Sequence, residues 1–276
     1  MPLFDQIHPA IYYEDSGQGE PVVFITGLGG NHGNWRPYVQ RLQKDFRCIT
    51  LDNRGTGQSG RPTEPYTISD MAQDVVRVFD YLNIQDAHVI GNSLGGRIAQ
   101  QIADSNPRRI KSLVLMSTTA SVSPWYDSIL QSWERMRRYM PLEEYYRSVA
   151  TWLCGPSTHR HRGYIDGFVK YSIENDTQSL EDFLLQVQAI RTQQANLPLQ
   201  EMDMPCLLIC GREDLPLLPD MIEMSKQIPS ANLHIIEQTG HMAAFEKFTE
   251  VWPIVHKFLT EHSAPGNSWL SSQIQL

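Results

Sequence analysis

The chain has 276 residues, of which 41% are hydrophobic and 20% charged, and a formal net charge of −8. That balance belongs to a folded globular protein large enough to bury a full core, so disorder along the whole chain is excluded. The acidic surplus argues against nucleic acid as a partner, and no apolar run reaches the roughly 18–20 residues that span a bilayer.

Along the chain, short apolar runs alternate with helical spacing. Residues 10–14 read as a strand closed by Ser16-Gly17. Continuous apolar strands follow at 21–26 (PVVFIT) and 46–52. Residues 70–82 carry Met71, Val75, Val78 and Leu82 on one helical face. A strand at 87–91, a helix at 94–105 and a strand at 110–117 come next. The pattern closes with a strand at 205–211, a helix near 219–228, a strand at 233–237 and a helix near 250–262. Strands that are apolar throughout, separated by helices, predict an α/β fold with a mostly parallel sheet covered on both faces.

Between 125 and 196 the alternation stops and only helical pattern remains, rich in Trp125, Trp133, Met136, Tyr139, Met140, Tyr145, Tyr146 and Trp152. A structureless loop of that length is uncommon in a compact domain, so the segment is expected to be a helical insertion lying over the sheet. Its acidic and basic residues nearly cancel, which leaves no strong field to draw in a charged ligand. The domain reading is a core at 1–122 and 199–262, a helical cap at 123–198 and a flexible tail at 263–276. Residues 1–9 lack the basic-then-apolar order of a targeting segment. Cys206 and Cys210 lie four residues apart in a strand-like run, about 13 Å at roughly 3.3 Å per residue, beyond the about 7 Å a disulfide spans. Neither they nor Cys48 and Cys154 have zinc-site spacing. Reduced thiols in a cytoplasmic protein, without metal or cofactor, are the expectation.

Gly91-Asn92-Ser93-Leu94-Gly95-Gly96 follows an apolar strand and opens a helix. This is G-x-S-x-G in a strand–turn–helix context, a nucleophile elbow. Such a turn is tight and strained, so its neighbours at −2 and +2 must be nearly free of side chain, as Gly91 and Gly95 are. The helix start beside Ser93 offers free N–H groups to developing negative charge.

With this motif the chain resembles the α/β-hydrolase superfamily over about residues 10–262. In that family the order is nucleophile, acid, histidine. The resemblance implies His241, after Thr239-Gly240, as the base; His234 falls inside a strand, and His256 and His262 on the last helix. The family's G-x-x-D, matched by Gly211-Arg212-Glu213-Asp214, implies Asp214 as the acid, with Glu213 its adjacent rival. The loop Thr26-Gly27-Leu28-Gly29-Gly30 would supply one oxyanion donor, the Leu28 N–H with Gly29 as rival, and Leu94 the other. Thr26 stands where the family often has histidine, which leaves the bracing of this loop open. Gly27, Trp125 and Trp133 are the candidate substrate contacts. Asp52-Asn53-Arg54-Gly55-Thr56-Gly57-Gln58-Ser59 resembles the family's D-x-R-G-x-G-x-S turn and reads as structural.

Other features read as surface or structure. Arg97 is expected to be solvated or ion-paired, and Arg135, Arg137 and Arg138 to form a solvated basic face. His159-Arg160-His161 lacks a third metal ligand, and the loop after Thr26 lacks the lysine of a phosphate loop. The function expected is hydrolysis of a small or medium, mainly apolar ester or lactone through an acyl-enzyme. The competing readings on the same scaffold are carbon–carbon bond hydrolysis, with Arg191 or Arg97 for an acidic substrate, a cofactor-free oxygenase or perhydrolase, and a ligand receptor.

Overall fold

The apolar central strands of the sequence form the part of a sheet that is buried from both sides. The protein is described by a computed structural model covering residues 3–4, 9–193 and 197–264. The strands are β1 (Leu3–Phe4), β2 (Ile11–Ser16), β3 (Glu20–Ile25), β4 (Phe46–Leu51), β5 (Ala87–Asn92), β6 (Ile110–Met116), β7 (Cys206–Gly211) and β8 (Ala231–Ile236). Their order in the sheet is β1-β2-β4-β3-β5-β6-β7-β8. β2 pairs antiparallel with β1 and with β4, and every other pairing is parallel.

Helices α1 (Arg36–Leu42), α2 (Ile68–Tyr81) and α3 (Leu94–Ser105) connect the first strands. Between β6 and β7 come α4 (Pro124–Tyr139), α5 (Leu142–Leu153), α6 (Pro156–His159), α7 (Arg162–Glu174) and α8 (Leu180–Thr192), with no strand among the described residues there. α9 (Leu218–Gln227), α10 (Ala243–Glu246) and α11 (Phe248–Glu261) complete the chain. Along β3, Val23 and Ile25 join the core that holds Val75 and Phe79 of α2 and Ile98 and Ile102 of α3. Val22 and Phe24 join the opposite core, with Tyr38 and Leu42 of α1 and Val251 and Val255 of α11. Side chains alternate across a strand, so burial on both faces removes any polar alternation. Each such side chain contributes about 1.5–3 kcal/mol by leaving water.

Two boundaries differ from the periodicity. α2 begins two residues earlier than its apolar face suggests, because Thr67 and Asp70 form a capping box. The Asp70 N–H donates to Thr67 Oγ1 at 3.2 Å and the Thr67 N–H to Asp70 Oδ2 at 2.8 Å. α1 lies where no element is predicted. It is too short to show helical period, and Pro37 in its first turn costs nothing because that N–H has no helical partner. The four cysteines are buried and unpaired. No described helix is long and apolar enough to cross a membrane. Residues 265–276 of the expected tail, and 194–196 near the end of the expected insertion, lie outside the described residues.

β3 lies between β4 and β5, so the chain crosses first to one side and then to the other. Ligands of open α/β sheets bind at the carboxyl ends of the strands where that reversal occurs. The loops that follow β3 and β5 carry Gly27–Gly30 and Ser93.

Candidate active site

Ser93 stands between β5 and α3 with φ +53° and ψ −117°, a backbone conformation costly for a residue with a side chain. The turn over-determines it. The Ser93 N–H donates to the Met116 carbonyl at 2.9 Å, and its own carbonyl accepts from Thr118 Oγ1 at 2.7 Å and the Gly96 N–H at 3.0 Å. The flanking glycines are steric requirements. A Cβ on Gly95 would lie 2.0 Å from the Ile25 carbonyl oxygen, and one on Gly91 2.4 Å from that of Gly95.

His241 and Asp214 meet because two backbone turns touch. A Cβ on Gly211 would lie 2.1 Å from the Gly240 carbonyl oxygen, so the end of β7 packs directly on the residue before His241. The Glu213 N–H also donates to the Thr239 carbonyl at 2.9 Å. His241 Nδ1 then lies 3.1 Å from Asp214 Oδ2, with Asp214 fully buried and His241 8% exposed. That pairing puts a proton on Nδ1 and leaves Nε2 free to act as a base. Glu213 turns away, accepting from the Ser157 N–H at 2.8 Å.

The Gly27–Gly30 loop is held despite its missing histidine. Thr26 Oγ1 donates to the Gly30 carbonyl at 3.2 Å, and Asn53 Nδ2 to the Thr26 carbonyl at 3.1 Å. The Gly29 N–H is committed to Gln186 Oε1 at 3.2 Å. Among the described residues neither the Leu28 nor the Leu94 N–H has a protein acceptor, so these two donors stay available.

Ser93, His241, Gly27, Leu28 and Trp133 line one cavity of about 1010 Å³, at the upper end of the usual range for small-molecule sites. Its far wall comes from the helices between β6 and β7, with Tyr145, Tyr146, Val149, Leu153, Phe168 and Phe183. Trp125 is not brought to the cavity: it is 49% exposed, while its neighbour Tyr126 is buried. Burial pushes the pKa of the Tyr126 phenol up. Ser123 and Pro124 mark the helix start, and that signal does not say which of two adjacent aromatics turns inward. His32 also lines the cavity, 2.9 Å through Nδ1 from Asp52 Oδ1. That hydrogen bond raises its pKa against the opposing effect of burial. No group of three or more metal-ligating side chains occurs among the described residues.

The sequence pattern of the α/β-hydrolase fold matches residues 20–248. The chain belongs to the α/β-hydrolase family. A poly(3-hydroxyalkanoate) depolymerase of Ectopseudomonas oleovorans is 30% identical over 245 residues, spanning 87% of this chain and 84% of its own. A RutD protein of Azorhizobium caulinodans, named for carbamate hydrolysis, is 28% identical over 239 residues, spanning 84% and 88%. The enol-lactonase of Burkholderia xenovorans LB400 superposes with a TM-score of 0.81 at 24% identity, over 94% of this chain and 100% of its own.

The D-x-R-G-x-G-x-S loop of this α/β-hydrolase is a turn device. Asp52 accepts from the His32 N–H at 2.6 Å and the Gln58 N–H at 2.8 Å, and Arg54 is paired twice with Asp74, at 2.7 and 2.8 Å. Two expectations for arginines are corrected, and a third arginine named for a competing reading is placed. Arg97 is neither solvated nor ion-paired: it is 2% exposed, donates through Nε to Gln193 Oε1 at 2.7 Å, and burial pulls its pKa down to about 10. Arg137 leaves the solvated face of Arg135 and Arg138 to pair with Asp176 at 2.6 Å on the cavity wall. Arg191 is held at the surface by Asp127 at 2.6 Å.

Proposed function

We propose that this hydrolase cleaves a small or medium, mainly apolar carboxylic ester or lactone through an acyl-enzyme. The observation that carries the reading is one cavity lined by a serine on a strained strand–helix turn and by a histidine whose other nitrogen is held by a buried aspartate. In this reading Ser93 Oγ attacks the carbonyl carbon while His241 Nε2 takes its proton. The Leu28 and Leu94 N–H groups hold the oxyanion, each worth about 2.7–4 kcal/mol in comparable sites. His241 returns the proton to the leaving oxygen, and the acyl group stays on Ser93. Water, deprotonated by His241, then releases the acid. Asp214 keeps the imidazole in the required tautomer throughout.

An uncharged substrate is supported by where the charges go. On the cavity wall Arg137 is neutralised by Asp176, His32 faces Asp52, and Arg36 is exposed to solvent. Arg97 and Arg191, the two cations considered for an acidic carbon–carbon substrate, do not line it. The 30%-identical relative named as a depolymerase of poly(3-hydroxyalkanoate) supports the ester reading.

The test is a substrate panel: p-nitrophenyl esters from acetate to octanoate, lactones, a p-nitrophenyl carbamate and a carboxylate-bearing vinylogous 1,5-diketone. kcat/KM is expected to rise over a few carbons of acyl chain and then fall. Strong preference for the anionic diketone, with feeble ester turnover, would overturn the reading.

A further inference from the structure

The oxyanion loop is fastened to the inserted helices as well as to the sheet. Gln186, on α8, is fully buried, and both ends of its carboxamide are used. Oε1 accepts the Gly29 N–H at 3.2 Å, and Nε2 donates to the Arg54 carbonyl at 3.1 Å. A main-chain donor on one side and a main-chain acceptor on the other allow one amide orientation, so the side chain works as a bracket of defined sense.

The bracketed residue controls the loop. The Gly30 N–H donates to the Gly27 carbonyl at 3.1 Å, which closes a turn over Gly27–Gly30. Gly29, its third residue, has φ +71°, the signature of a type II turn. Pinning the Gly29 N–H fixes the peptide that joins it to Leu28 and so the direction of the turn. It also occupies the rival donor, while Leu28 lines the cavity and its N–H has no acceptor among the described residues. Further bonds tie the connection between α7 and α8 to the loops of the sheet. Asn31 Nδ2 donates to the Asn175 carbonyl at 3.3 Å, the Gly57 N–H to Thr177 Oγ1 at 2.8 Å, and Arg61 Nη2 to the Thr177 carbonyl at 2.6 Å.

We infer that Gln186 is a positioning residue for oxyanion stabilisation: an inserted helix sets the register of the donor loop, so the cap holds catalytic geometry as well as enclosing substrate. This inference rests on the proposed roles of Ser93 and of the Leu28 and Leu94 donors. An oxyanion donor acts on the transition state and little on the ground state, so losing its alignment lowers kcat and leaves KM nearly unchanged.

The test compares wild type, Gln186→Met and Gln186→Glu by ester kinetics and by the rate of fluorophosphonate labelling, with circular dichroism confirming the fold. Methionine keeps the length and loses both bonds. Its kcat and labelling rate should each fall about tenfold or more, with KM within about twofold. Glutamate restores both bonds only when protonated, and burial favours that form. The ratio of Gln186→Glu to wild-type labelling rate should therefore be highest at low pH and fall as pH rises. If Gln186→Met does not fold, this pH ratio decides alone. Unchanged kcat in folded Gln186→Met, a rise in KM alone, or a flat pH ratio would overturn the role of Gln186 while the hydrolase reading stands. A wild-type chain that is neither labelled nor turns over any ester overturns the hydrolase reading first, and this inference with it.

Discussion

Asp214 and Glu213 are adjacent carboxylates with opposite surroundings. Asp214 is fully buried against His241, whereas Glu213 holds the first turn of α6 through the Ser157 N–H. Asp214→Asn should lower ester kcat by about 10⁴-fold, the scale seen when a triad acid loses its charge, with little change in melting temperature. Glu213→Gln should stay within a few-fold of wild type. The two kcat values and a thermal melt decide, and the reverse ranking would move the acid to Glu213. The placement of Ser93, Asp214 and His241 in the fold was legible because each depends on glycines that the backbone itself requires: Gly91 and Gly95 around the first, Gly211 and Gly240 under the other two. Tyr126 and His32 were not, because their place depends on packing between segments far apart in the chain. A tryptophan and a tyrosine side by side at a helix start look alike until the helix is docked. Arg97 misled for the same reason, since a helix position alone does not show what covers it.

Among the elements, the strands were the most legible, because burial on both faces leaves an unbroken apolar run. Helix ends depended on caps, and α1 was too short for any period to show. One polar cluster is invisible in the strand pattern. At the starts of β3, β5 and β6, Glu20 meets Lys111 at 2.7 Å and His88 Nε2 at 3.2 Å, and His88 Nδ1 meets Ser112 Oγ at 2.7 Å. Burial works to raise the Glu20 pKa, but bonds from Lys111, the Ala264 N–H and His88 outweigh it and bring it down to about 2 from an ordinary 4.5. A carboxylate whose pKa is depressed by folding stabilises the fold above its unfolded value and loses that contribution as pH falls through its folded one. Glu20→Gln should therefore cost on the order of 1 kcal/mol at pH 7, after allowance for solvent screening. The gap from wild type should close between about pH 4.5 and pH 2. Denaturant melts across that range check it, and a gap independent of pH would show that the charge contributes nothing.

For the molecule as a whole, the break in strand–helix alternation correctly signalled helices placed between β6 and β7. It did not show how they enclose a cavity. That follows from which faces of α4, α5, α7 and α8 turn towards Ser93. Trp133 is 8% exposed and lines the cavity, whereas Trp125, eight residues earlier on the same helix, is 49% exposed. Trp133→Ala should move the acyl-length optimum of kcat/KM towards longer chains by a few carbons, at a stability cost of up to about 3–5 kcal/mol. Trp125→Ala should move neither. An optimum that shifts with Trp125 and ignores Trp133 would mean that the substrate lies outside the cavity.

The proposed reaction turns on one atom, Ser93 Oγ, which lines the same cavity as His241. Treating the intact protein with a fluorophosphonate, weighing it and mapping the modified peptide tests that most directly. The account predicts a single adduct per chain, on Ser93, with ester turnover lost in step and no adduct on Ser93→Ala. An adduct on another residue, or undiminished labelling of Ser93→Ala, would contradict it.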